Sequence, residues 1–141
     1  MENQYNLDRF LQAQNQTCLK ALSEIRNGKK ESHWMWYVLP QLLGLGFSDT
    51  SKYYGIQNLE EAVQYLAHPI LGKHLIEISR ELLQINNKTA TDIFGIPDVV
   101  KFLSCLTLFS KVPEADPIFK QLQQKYFRGL EDEYTIQLLN N

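Results

Sequence analysis

The sequence predicts an all-α domain of about seven or eight helices, several of them short. Three observations carry that reading. Apolar residues recur at spacings of three, four and seven along most of the chain. Once those stretches are assigned, no pair of alternating, β-branched segments is left to build a sheet. Proline and glycine stand between the periodic stretches as punctuation rather than inside them. The chain has 141 residues, a length suited to one hydrophobic core. One domain is therefore read over 1–141, with its core at about 7–139.

The first helix is predicted over 7–26, where Leu7, Phe10, Leu11, Cys18, Leu22 and Ile25 make one stripe. Asn6 can cap its start, and Asn27-Gly28 can end it in the left-handed region. After a charged loop, Ser32 can cap a short element, His33-Trp34-Met35-Trp36-Tyr37-Val38-Leu39, which Pro40 ends. Its lack of alternation predicts a buried helix. Leu42-Leu43-Gly44-Leu45-Gly46-Phe47 reads as an apolar loop, and Ser48 as the cap of a short helix stopped at Gly55. Asn58, with Glu61 three residues later, resembles a capping box and opens a helix to about Ala67. His68-Pro69 breaks it and starts another that runs to about Ile85, with Leu71, Leu75, Ile78, Leu82 and Ile85 inward. Thr89 caps a turn that Gly95 stops. Pro97 opens a long helix to about Val112, Asp116-Pro117 opens the next to Arg128-Gly129, and Asp132 starts the last, through Leu139.

Composition narrows the function classes. Hydrophobic residues make up 44% and charged residues 21%, which rules out wholesale disorder. A formal net charge of −2 argues against nucleic-acid binding through a general basic field. The longest apolar run, 34–39, falls far short of the ~20 residues that span a bilayer. The first residues, Met1 to Asn6, carry no cationic start and no apolar stretch, so no signal peptide is read. Cys18 and Cys105 form neither a metal-type spacing nor a disulfide framework. The expectation is a cytoplasmic, reduced protein with no membrane partner and unpaired thiols.

The stretch from His33 to Tyr54 has a surplus of aromatic residues: Trp34, Trp36, Tyr37, Phe47, Tyr53 and Tyr54. A helix needs only one apolar stripe, yet 34–39 is apolar on every side, so it is either central or faces a cavity. One alternative is a core helix whose indoles bond to backbone. The other is an aromatic-walled pocket with His33, Gln41 and Ser48 as polar lining and Trp34 or Trp36 as wall. Two positions apart on a helix, the tryptophans point about 200° from each other. One is expected in the core and the other on a cavity, together with His33 or Gln41. Lys30, Tyr54, His68 and Lys101 complete such a site if the helices converge. Aromatic faces with cations favour a planar, nucleotide-like ligand. The competing class is a helical interaction module or homodimer that uses the aromatic segment as its interface.

Ser32-His33-Trp34-Met35-Trp36-Tyr37, Pro40-Gln41, Gly44-Leu45-Gly46 and Tyr54-Gly55-Ile56 resemble the DUF1810 family. So do Phe10-Leu11-Gln12-Ala13-Gln14, Tyr65-Leu66-Ala67-His68-Pro69-Ile70-Leu71-Gly72, and Ile93-Phe94-Gly95-Ile96-Pro97-Asp98 with Lys101 and Thr107-Leu108-Phe109. The resemblance implies a mainly helical fold and carries no activity or cofactor with it. Members are sometimes labelled after calpastatin, a disordered, proline- and lysine-rich inhibitor that this aromatic sequence does not resemble. Leu103, Cys105 and Cys18 depart from the arginine, serine and tyrosine usual at those positions in relatives.

Other chemistry is thinner. Asp98, Lys101, Ser104 and Leu108 share one side of a helix, but Lys101 and Ser104 stand in the reverse order of the S-x-x-K motif. Nothing in the sequence brings either cysteine to His33, His68 or His74. The histidines His68 and His74 fall on different faces, against a zinc site. No phosphate-binding glycine motif is present.

Overall fold

The computed structural model describes residues 5–140, and the N-terminal reading on Met1 to Gln4 lies outside them. Ten helices and no strand are found among the described residues. They are α1 (Asp8–Asn15), α2 (Cys18–Arg26), α3 (Met35–Val38), α4 (Asp49–Tyr54), α5 (Leu59–Ala67), α6 (Leu71–Gln84), α7 (Ala90–Phe94), α8 (Asp98–Ser110), α9 (Ile118–Phe127) and α10 (Glu133–Leu139). The count exceeds the expected seven or eight partly because several are one-turn helices and partly because the first predicted helix is two. Thr17 makes that break. Its hydroxyl donates to the Ala13 carbonyl at 2.7 Å, the acceptor that a continuous helix would give to the Thr17 amide. That amide bonds to the Gln14 carbonyl instead. A threonine side chain competing with the backbone ladder is a known source of helix interruption.

Most of the capping residues act as their chemistry suggests; Asn6 and Ser32 do not, since the N-cap positions of α1 and α3 are Leu7 and Trp34, with no side-chain cap bond. Ser48, Asn58 and Asp132 accept from the amides of Ser51, Glu61 and Thr135, and so cap α4, α5 and α10. Thr89 and Asp92 form a reciprocal capping box on α7. At α5 the box opens one residue earlier than expected, because the Glu61 carboxylate takes the amide of Gln57 rather than that of Asn58. His68 caps the α5–α6 junction, its Nδ1 accepting from the amides of Ile70 and Leu71.

α8 is the axle. It packs against α3, α5, α7, α9 and α10, and every residue from Phe102 to Phe109 except Leu103 is buried. A helix surrounded on all sides has little use for a polar face, which explains its near-continuous apolar run. α6 closes the core from the other side against α2, α5 and α9. Leu71, Leu75, Ile78 and Leu82 are buried there as their spacing predicts, and Ile85 is half-buried. Two buried acids tie the N-terminal helices to their neighbours. Glu61 pairs with Arg9 at 3.0 Å, and Arg9 also donates to the carbonyls of Tyr53 and Gly55. Glu24 gathers the turn before α3, as described below. Among the described residues no helix is long and apolar enough to cross a membrane, and no cluster of His, Cys, Asp and Glu could hold a metal ion.

Candidate functional site

A cleft beside Trp36

The segment from Trp34 to Leu39 winds only one full helical turn, so its side chains leave in several directions. Trp34 goes into the core and is fully buried. Its indole N–H donates to Glu24 Oε1 at 2.8 Å. The same carboxylate receives the amides of Glu31 and Ser32 and the Ser32 hydroxyl. Burial pushes the Glu24 pKa up, but these donors outweigh it and hold the pKa at about 2.

Trp36 leaves in another direction and is only half-buried. It forms part of a cleft of about 580 Å³. The loop after α3 makes one wall, through Gly44, Leu45, Gly46 and Phe47. The first turns of α8 make the second, through Val100, Lys101 and Ser104, and α10 the third, through Asp132, Tyr134 and Leu138. Glycine is required in the loop. Gly44 has φ +106, and a side chain there would press on Leu138 of α10. A Cβ on Gly46 would stand 2.8 Å from Ser51 and 3.5 Å from the Trp36 ring.

The position of Gln41 follows from the chain reversal around it. Its carbonyl accepts the amide of Ile56, and Leu43 donates to the Ile56 carbonyl, so the loop and the end of α4 are tied by a lone parallel bridge. With its backbone held, the Gln41 side chain lines the cleft. It is 7% exposed, and its amide makes no hydrogen bond with any described residue.

The charges are arranged in two groups. Asp98 bridges Lys30, at 2.7 Å, and Lys101, at 3.1 Å. Burial raises the Asp98 pKa, yet the two ammonium donors win and hold it below the ordinary carboxylate value. Lys101 Nζ also lies 4.0 Å from the centre of the Trp36 ring, a cation–π contact. Asp132, also on the cleft, makes no ion pair with these cations. Its Oδ2 accepts from the Thr135 amide and hydroxyl and from Ser104. Its Oδ1 has no hydrogen-bond or ion-pair partner among the described residues.

Where the expected site residues lie

Trp36, Gln41 and Lys101 converge on the cleft. Lys30 reaches it only through Asp98, its own ammonium being buried over Trp34 and bonded to the Ser32 carbonyl. Trp34 is core. His33 is exposed away from the cleft lining, its carbonyl accepting the Tyr37 hydroxyl. Ser48 serves α4 as a cap, and His68 serves α6. Tyr54 packs among the rings of Phe10, Tyr37 and Tyr53. These residues stay apart because the one-turn α3 spreads its side chains and because caps spend their polar atoms on backbone.

Asp132, Tyr134, Gln137 and Leu138 were not legible as site residues. The sequence marks Asp132 as a cap and nothing more. What makes it part of a site is the return of α10 onto α8, 28 residues earlier in the chain, through Ser104. Among the described residues neither a Lys101–Ser104 pair nor a cysteine–histidine pair is assembled. The Lys101 ammonium is held by Asp98, and the Ser104 hydroxyl lies against the Val100 carbonyl and Asp132. Cys18 and Cys105 are free thiols, and burial pushes both pKa values up, so neither is a ready thiolate. His74 pairs with Gln14 at 2.7 Å instead, and burial lowers its pKa.

A family model described as "Protein of unknown function (DUF1810)" matches residues 4–139. No curated protein is significantly similar to the chain. Among solved structures, it is similar to the crystal structure of the conserved hypothetical protein Rv1873 from Mycobacterium tuberculosis. The identity is 41%, 99% of each chain is covered, and the TM-score is 0.96.

Proposed function

The chain belongs to the DUF1810 family, and from its cleft we propose that it is a small-ligand-binding protein whose ligand is planar and nucleotide-like. One observation carries the reading. Gln41 is 7% exposed on an otherwise largely apolar cleft, and its amide, which opens on the cleft, is paired to no described residue. An amide that faces a cleft with no protein partner is free to bond a ligand or ordered water there. A cleft of about 580 Å³ lies in the size range of small-molecule sites, which are typically apolar with a few placed polar groups. Trp36, Phe47 and Tyr134 supply aromatic faces for a ring. Lys101, already over Trp36, supplies a cation at its edge.

The test is a thermal-shift and tryptophan-fluorescence titration against nucleosides and nucleoside monophosphates. A ligand at 100 times its Kd adds about 2.7 kcal/mol of stability. The expected hit also changes Trp36 emission and is lost in Trp36→Ala. Hits that survive Trp36→Ala unchanged, or no hit at all, overturn the reading.

A second reading rests on the rim. Phe47 is 89% exposed and Tyr134 70% exposed, and aromatic residues of this kind are enriched at protein interfaces. If the rim is a homodimer surface, light scattering reports a dimer that Phe47→Ser dissociates.

A further inference from the structure

The polar groups of the cleft narrow the ligand further, on the premise that the cleft binds a planar ring. We propose that the protein reads a ring edge carrying one carbonyl acceptor and two N–H donors, the guanine-type pattern. Gln41 and Asp132 are the residues that read it.

The argument is a count of unspent hydrogen-bonding capacity. A carboxamide offers one N–H face and one carbonyl, and both are unspent at Gln41 among the described residues. An edge that satisfies both must pair a carbonyl with an N–H. Asp132 then decides the rest. Its Oδ2 is filled by the Thr135 amide at 3.1 Å, the Thr135 hydroxyl at 2.6 Å and the Ser104 hydroxyl at 3.1 Å. Those bonds hold the carboxylate and leave Oδ1 as an acceptor without a described protein partner on a residue that lines the cleft. A carboxylate oxygen accepts and cannot donate, so it asks for a second N–H. It also repels a ligand carbonyl or an anionic edge, because no cation pairs with it among the described residues. The nearest ammonium of the cleft, on Lys101, is already committed to Asp98. A site built to bond an N–H rejects an analogue that lacks it far more strongly than an apolar pocket rejects a missing methylene.

The experiment compares guanosine, inosine (no second N–H group) and xanthosine (a carbonyl in its place) by calorimetry. The neutral apolar dye N-phenyl-1-naphthylamine reports the cleft itself. The wild type is expected to bind guanosine at least about tenfold more tightly than inosine and xanthosine. Gln41→Leu weakens guanosine by about tenfold or more and leaves the dye bound. Asp132→Asn is the sharper arm. Its oxygen must stay on the Thr135 amide to cap α10, so its NH2 replaces the open acceptor with a donor. The ranking then inverts, xanthosine above guanosine, in a protein that melts normally. An unchanged ranking in Asp132→Asn overturns the inference, as does equal binding of all three nucleosides. Dye binding that Trp36→Ala abolishes, with no nucleoside bound, also overturns it but leaves a ligand cleft standing. Failure of dye and nucleosides alike removes both readings.

Discussion

Trp34 and Trp36 are two residues apart and do opposite work. Trp34 is fully enclosed, and its one polar atom is met by a carboxylate that four donors hold in place. Trp36 is half-buried, has a lysine on its face and borders open space. Identical side chains thus serve as a rivet and as a wall. The local environment, not the residue type, decides which. At Trp34 the indole N–H and the Glu24 carboxylate it meets are spent on protein. Around Trp36 the Gln41 amide and Asp132 Oδ1 are left over. Unspent capacity beside one tryptophan and a satisfied indole at the other separate a cleft wall from a core side chain.

The comparison can be broken most directly at its stable end. Trp34→Ala should cost about 3–5 kcal/mol, the usual loss for a large buried aromatic, read as the shift in urea midpoint. A loss below that of Trp36→Ala would reverse the two assignments. Glu24→Ala should cost about 2–4 kcal/mol, because it strands the buried Trp34 indole and the amides of Glu31 and Ser32.

Acid sharpens the same point. The folded Glu24 pKa is about 2 against an ordinary value of 4.5. A depressed carboxylate stabilises the fold above its unfolded pKa, and that contribution fades as pH falls from about 4.5 toward about 2. Melting temperature should therefore fall over that window in the wild type and fall less steeply in Glu24→Gln.

At the open end the effects shrink. Trp36→Ala should cost only about 1–2 kcal/mol, since much of its surface already faces the cleft, while ligand-induced stabilisation is lost. Lys101→Met should cost about 0.5–1 kcal/mol, the sum of a half-exposed cation–π contact and a partly exposed ion pair. Chemical denaturation of the free protein resolves both values.

Most helices were legible from the chain because their signals are local. Ser48, Asn58, Thr89 and Asp132 cap because their side-chain oxygens reach an amide two or three residues on. The break at Thr17 is also local, yet it was missed. A threonine hydroxyl can either rest beside the ladder or replace a rung of it, and the stripe from Leu7 to Ile25 looks the same in both cases.

The site was legible only in part, and the division is physical. The sequence by itself determined an all-helical chain and an aromatic segment too rich for one stripe. It also led to the expectation that the two tryptophans face different surroundings, because backbone geometry and apolar periodicity are properties of neighbours. Tertiary structure alone decided that Trp36 faces the cleft and that Gln41 joins it while His33, Ser48, Tyr54 and His68 do not. It alone brought Asp132 beside Ser104. Those juxtapositions depend on how α10 returns to α8 and on which polar atoms the backbone leaves unused, and residue spacing along the chain encodes neither.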